Sequence, residues 1–329
     1  MKFGNDDMDF SGVDDRRDGS GGTPGGAGGT GIGPGHVAAA NGISKMLGGG
    51  AGLTIVILLV LVMCSVAGGE DAGNTGVAPQ QQRVESGAYG VPKSADGVQA
   101  SLAKKCPIDA QDGVFDNPDC LLVKSYNETN AVWGRALAAQ SSQFRPPKLT
   151  FFDGTTRTAC GMGTTNMGPF YCPGDERIYF DLGFNRELQR LGVRGQYALV
   201  YIMAHEYGHH LQNVLGIERR VRVAQSRSPR DRNNYSVAME LQADCFAGVW
   251  GRLANDQGNV QITPQEFQQA SDAAAAVGDD KIMAGSGMRV NPDKFTHGSA
   301  KQRQYWYTTG YNTGDINSCN TFQQLGLPL

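Results

Sequence analysis

Histidine is scarce in this chain: five residues in 329. Charge of one sign is also missing, since 29 basic residues face 32 acidic ones and leave a net charge of −3. That balance excludes the basic footprint of a nucleic-acid binder. There is no internal repeat, which excludes a repeat array. The first third lacks the apolar pattern of a packed core. Residues 1–42 are rich in Gly and Asp, with a Gly/Thr/Pro stretch from Gly19 to Gly35. Such a segment buries too little apolar surface to offset its ordering entropy and reads as disordered. It lacks the preceding strand and following helix that a phosphate-binding glycine loop needs.

Charge disappears altogether from Ala51 to Gly68, a run of 18 residues dense in Leu, Ile and Val. The length is near the minimum for spanning a bilayer. A cleaved signal peptide fits less well, because the run starts far into the chain and has no A-x-A site. Met63 is too bulky before Cys64 for a lipoprotein site. Lys45 on the amino side, with Glu70 and Asp71 on the other, orients the span with its N-terminus in the cytoplasm. The expected plan is a Gly-rich cytoplasmic tail over 1–50, a transmembrane helix over 51–68, a polar linker over 69–97 and a folded domain over 98–329. The domain then lies outside the cell membrane, in the periplasm or an equivalent extracytoplasmic space. Six cysteines follow the span, and an oxidising side allows three disulfides among fifteen connectivities.

Three of the five histidines fall between His205 and His210, in Ala204-His205-Glu206-Tyr207-Gly208-His209-His210. On a helix, His205 and His209 are i and i+4 and project from one face, able to grip one metal ion. Glu206 lies about 100° round the helix and reaches a water on that metal. The stretch from Gly195 to Leu215 reads as a mostly buried helix, with Gly216 as its stop. A catalytic zinc takes three protein ligands and keeps one position for water. The best third ligand is Glu240, in Glu240-Leu241-Gln242-Ala243-Asp244. Glu240 and Asp244 are again i and i+4, on a second buried helix over Asn233 to Leu253. Gly208 and Gly248 are placed to let the two helices approach. Asp244 is assigned to the outer nitrogen of a ligand histidine, His205 in preference to His209. His210 points away from His209 and reads as a packed neighbour. His297 is the remaining histidine outside the tail and is the candidate oxyanion donor, ahead of Tyr207 and Arg303.

Elsewhere, 97–105 and 117–143 look helical, and Lys148 to Phe152 and Arg177 to Asp181 look like strands. Either strand is a candidate to pair with an extended peptide. Glu218 to Arg232 carries six arginines and reads as a solvated polar connector. Helices are expected from Leu182 to Leu191, from Pro264 to Val277 and from Ser299 to Tyr311.

The joint set of Gly168-Pro169-Phe170-Tyr171-Cys172-Pro173, His205 to Gln212, Glu240 to Trp250, Gly278-Asp279-Asp280 and Phe295 to Arg303 resembles the bacterial neutral zinc metallopeptidase family. Asp14-Asp15-Arg16-Arg17 resembles that family's N-terminal start. The resemblance implies an α+β, zincin-like metalloprotease domain, mainly helical with a small sheet, preceded by one transmembrane helix. It implies His205 and His209 as zinc ligands, Glu206 as the catalytic residue and Glu240 as third ligand. It also implies paired cysteines: Cys160–Cys172, Cys245–Cys319 and Cys106–Cys120. The expected function is membrane-anchored, zinc-dependent hydrolysis of peptide bonds, with Glu206 as general base on a zinc-activated water. The expected partners are protein or peptide substrates and the membrane, with no nucleic acid. The rival readings are a peptidoglycan-peptide amidase and a zinc-bearing scaffold without turnover. An intact Glu206 argues against the scaffold.

Overall fold

The computed structural model describes residues 2–4, 8–17, 102, 104–106, 117–138 and 144–329. Short strands β1 (Lys2–Phe3) and β2 (Val13–Asp15) come first, then helix α1 (Pro118–Ala138). Five strands follow: β3 (Lys148–Phe152), β4 (Thr155–Thr158), β5 (Gly161–Thr164), β6 (Phe170–Cys172) and β7 (Arg177–Asp181). The rest is helical: α2 (Phe184–Arg190), α3 (Tyr197–Val214), α4 (Ile217–Arg227) and α5 (Arg232–Asp256), then β8 (Val260–Gln261). Last come α6 (Pro264–Ala276), α7 (Asp279–Gly285), α8 (Ala300–Thr313) and α9 (Thr321–Gln324).

The main sheet runs β2-β3-β7-β6. β2, β3 and β7 are parallel, while β6 is antiparallel to β7. A disulfide joins Cys160 to Cys172 at the end of β6, and two others join Cys106 to Cys120 and Cys245 to Cys319. α3 is buried from Tyr197 to Gln212 except at His209, as its near-continuous apolar sequence requires. It lies directly against α5: a Cβ on Gly208 would stand 3.0 Å from the Ala243 backbone. Gly248 does not serve that contact. It faces α8, where an added Cβ would lie 2.1 Å from the Tyr307 carbonyl oxygen, and Gly310 returns the favour against Cys245. α6 and α8 both start in capping boxes, Thr263 with Glu266 and Ser299 with Gln302.

The stretch from Glu218 to Arg232 is mostly helix, not connector. Ile217 and Val221 sit i and i+4 on its buried side, and Glu218 pairs with Arg222 at 3.3 Å. The exposed arginines merely cover the outer face.

The N-terminal residues pack onto the domain rather than trailing from it. Val13 to Asp15 pair with Leu149 to Phe151, and Phe3 with Val260. Phe3, Met8 and Val13 enter the core. Asn127 brackets Asp9, accepting its N–H at 2.8 Å and donating to its carbonyl at 2.9 Å. Arg17 bridges Asp15 and Asp119. The sequence Asp14-Asp15-Arg16-Arg17 looks like a solvated tail, yet its charges pair with one another and with distant partners. Val13 is only 4% exposed. Val13→Asp therefore puts an unpaired carboxylate in the core and is expected to lower unfolding stability by about 3 kcal/mol or more. Denaturant unfolding measures this; a free tail would tolerate the change.

This docking corrects the expected topology. The expected class joined an α+β domain to a transmembrane helix. The described chain is mostly helical with small sheets, and no helix among the described residues is long and apolar enough to cross a membrane. The run from Ala51 to Gly68 lies outside the described residues, as do 18–50 and the linker over 69–97. Because β2 and β3 share one sheet, the chain before and after that run lies on one side of any bilayer. One crossing between a cytoplasmic N-terminus and an external domain does not fit that pairing. The single-pass inner-membrane localisation falls with it.

Candidate metal centre

α3 and α5 bring three donors together. Ligand atoms of His205, His209 and Glu240 all lie within 4.8 Å of one another. Glu240 spans the two rings, with Oε2 3.3 Å from His205 Nε2 and Oε1 3.5 Å from His209 Nε2. Two imidazoles and one carboxylate suit zinc, and three ligands leave a fourth position for water. The far nitrogens are already engaged. His205 Nδ1 faces Asp244 Oδ1 at 2.8 Å, and His209 Nδ1 faces the Gln212 side-chain oxygen at 2.8 Å. Each contact aims Nε2 at the centre, as the nitrogen that would hold a metal once its proton has left. The donor set fits a zinc ion.

Burial sets the charges here. On His205 it opposes the proton, but Asp244 and Glu240 outweigh it and carry the pKa up to about 10. Burial would also raise Glu240, but His209 and His205 hold it well below the usual carboxylate range. At Glu206 the counterweight is too small. Burial pushes it up to about 7 against the pull of His205, and Glu240 adds to the rise. The backbone of Tyr171 on β6 also acts on the Glu206 carboxylate, lowering its pKa. The edge of the main sheet therefore borders the site.

Gln212 was not among the residues singled out from sequence. Its amide nitrogen donates to the Met239 carbonyl at 2.7 Å and to Gln242 at 3.2 Å, and Gln242 in turn donates to the Cys319 carbonyl at 3.0 Å. The His209 ring is thus fixed by a chain that ends at the Cys245–Cys319 disulfide. Its i,i+3 spacing from His209 on an otherwise apolar helix was the available signal. Gln212→Ala is expected to weaken zinc binding by about tenfold or more. Chelator competition measures this.

His297 lies in the loop before α8, held by Asp279 at the start of α7. Asp279 Oδ1 is 3.2 Å from His297 Nδ1, and Oδ2 accepts the backbone N–H groups of Thr296, His297 and Gly298 at 2.7, 2.7 and 3.0 Å. That leaves His297 Nε2 unengaged by Asp279, and His297 contributes to holding the Glu240 carboxylate down. The other two oxyanion candidates face elsewhere. Tyr207 is fully buried and packs edge-on to His210. Arg303 is turned to Asp244, with Nε 2.8 Å from Oδ2. His210 is no ligand candidate: Tyr171 OH lies 3.0 Å from its Nδ1, and its Nε2 lies 2.7 Å from the Arg145 carbonyl.

Comparison with known proteins gives the same chemistry a family. The family model described as "Putative neutral zinc metallopeptidase" matches residues 4–322. The chain is 45% identical over 196 residues to the uncharacterized protein YpfJ of Escherichia coli K12, covering 59% of this chain and 68% of that one. It is 41% identical over 218 residues to the uncharacterized protein Rv2575 of Mycobacterium tuberculosis H37Rv, covering 63% and 72%. No solved structure matches the chain. With its model spanning nearly the whole sequence and two helices converging on a His-His-Glu set, the chain belongs to the neutral zinc metallopeptidase family.

Proposed function

We propose that this protein hydrolyses peptide bonds with a zinc ion held by His205, His209 and Glu240. The observation that carries the proposal is the convergence of His205, His209 and Glu240, with the buried Glu206 next to His205 on α3 and in electrostatic contact with His205 and Glu240. When bound, zinc supplies a water of lowered pKa and polarises a scissile carbonyl. Glu206 takes the proton of the attacking water and returns it to the leaving nitrogen. A buried carboxylate beside the metal donors suits both transfers. A scaffold needs no such group next to its metal.

His297 donates from Nε2 to the oxyanion that develops on the carbonyl. Asp279 holds Nδ1 of that ring and the loop backbone around it, so the donor is set before substrate arrives. The substrate lies as an extended strand along β6. The strands first considered for this, β3 and β7, are interior to the sheet and already paired on both sides. β6 is the edge strand nearest Glu206, and Tyr171 contacts both Glu206 and, through its hydroxyl, His210. Strand addition there supplies main-chain hydrogen bonds without demanding one side-chain sequence.

The test is cleavage of a mixed library of unstructured peptides by the zinc-loaded wild type and by Glu206→Gln. Cleavage by the wild type alone supports the proposal. Survival of the whole library with both proteins would reject it.

A further inference from the structure

Arg303 is 3% exposed, and Asp244 is fully buried. The two form a forked pair. Arg303 Nε donates to Asp244 Oδ2 at 2.8 Å and Nη2 donates to Oδ1 at 2.9 Å. Oδ1 also receives the Tyr201 hydroxyl at 2.5 Å and faces His205 Nδ1 at 2.8 Å. Arg303 Nη2 also donates to the Tyr201 hydroxyl at 3.3 Å and stands 3.5 Å from His205 Nδ1, but that nitrogen turns its own proton to Asp244, so the guanidinium reaches the candidate ligand through the carboxylate, on the side opposite the metal.

We infer that Arg303 is a positioning residue for the metal centre: its guanidinium fixes the plane of Asp244, and through Asp244 it aims the His205 ring. This rests on the zinc reading of the His205, His209 and Glu240 cluster. Two parallel N–H bonds define the orientation of a carboxylate, which a single point charge does not. That orientation decides which lone pair meets His205 Nδ1, and so where Nε2 points. The guanidinium also offsets the cost of an ionised carboxylate in an apolar interior, among Leu241, Cys245 and Phe246.

The packing supports a fixed device. Arg303 comes from α8, and Asp244 from α5. Those helices interlock through Gly248 and Gly310, which let the two backbones approach too closely for any Cβ. The same segment carries His297 just ahead of the α8 cap at Ser299. One stretch, Phe295 to Arg303, therefore sets the catalytic histidine on one side of the centre and the ligand-orienting carboxylate on the other.

The experiment measures zinc dissociation constants of the full chain by competition with a chromophoric chelator. It compares the wild type, Arg303→Met, Arg303→Lys, Asp244→Asn and the double variant Arg303→Met/Asp244→Asn. Circular dichroism of the zinc-free proteins checks folding. Arg303→Met is expected to weaken zinc by about 10–100-fold. Arg303→Lys recovers only part of the loss, since an ammonium cannot make the fork. The double variant binds no more weakly than Asp244→Asn alone, because Arg303 acts through that carboxylate. Should Arg303→Met not fold, Arg303→Lys loaded with cobalt(II) decides: a shifted visible band supports the inference. Wild-type zinc affinity in a folded Arg303→Met, additive losses in the double variant, or an unshifted cobalt band in Arg303→Lys would overturn it. Peptide turnover is scored separately. A wild type that binds zinc but cleaves nothing removes the peptidase reading and leaves the affinity contrast standing. A cleaving enzyme indifferent to Arg303 does the reverse.

Discussion

Glu206→Gln is expected to lower peptide hydrolysis by about 10²–10⁴-fold, the usual contribution of a placed general acid–base. Zinc content should stay at the wild-type level, because Glu206 is not among the three converging donors. The substitution is nearly isosteric. Its amide oxygen still faces the Tyr171 backbone that acts on Glu206 now, so the edge of β6 is not disturbed. Only the proton acceptor is lost. A parallel loss of zinc would mean that Glu206 holds the metal. Unchanged turnover would mean that another group takes the proton. Steady-state rates with metal analysis of the same samples separate these outcomes.

Glu240→Ala is expected to empty the site. Among the described residues, Glu240 is the one donor from α5 and the one anion that spans His205 Nε2 and His209 Nε2. Its removal leaves two imidazoles and no counter-charge. The fall in zinc affinity should exceed the about 10–100-fold typical of an outer partner. Turnover should fall with it and recover in part with excess zinc. Zinc-to-protein ratios after dialysis give the first readout, and zinc titration of the rate gives the second. Asp244→Asn makes the contrast: it keeps all three ligands and should lose affinity without losing stoichiometry at saturating zinc.

The site was legible where its geometry is local. His205, Glu206 and His209 follow from one helical turn, and Glu240 with Asp244 from another, because i,i+4 spacing on an apolar helix leaves few places for polar groups to point. Their convergence needed α3 and α5 to touch, which Gly208 hinted and the Ala243 contact supplies. Direction was harder. Nothing in the sequence says that Arg303 turns to Asp244 instead of towards substrate, or that Gly248 serves α8 instead of α3. Asp279 and His297 are 18 residues apart and meet only through a loop fold. The N-terminal strand was missed because four charged residues in a row mask the apolar contacts of Val13 around them. The arginines of α4 hid Ile217 and Val221 in the same way. Charge on one face is a weak guide to what the other face does.

The most direct measurement is anomalous X-ray scattering at the zinc absorption edge from crystals grown with zinc. The account predicts one strong peak bounded by His205 Nε2, His209 Nε2 and a Glu240 oxygen, at about 2.0–2.2 Å from each. No peak in that position, or a peak held by other residues, would contradict it.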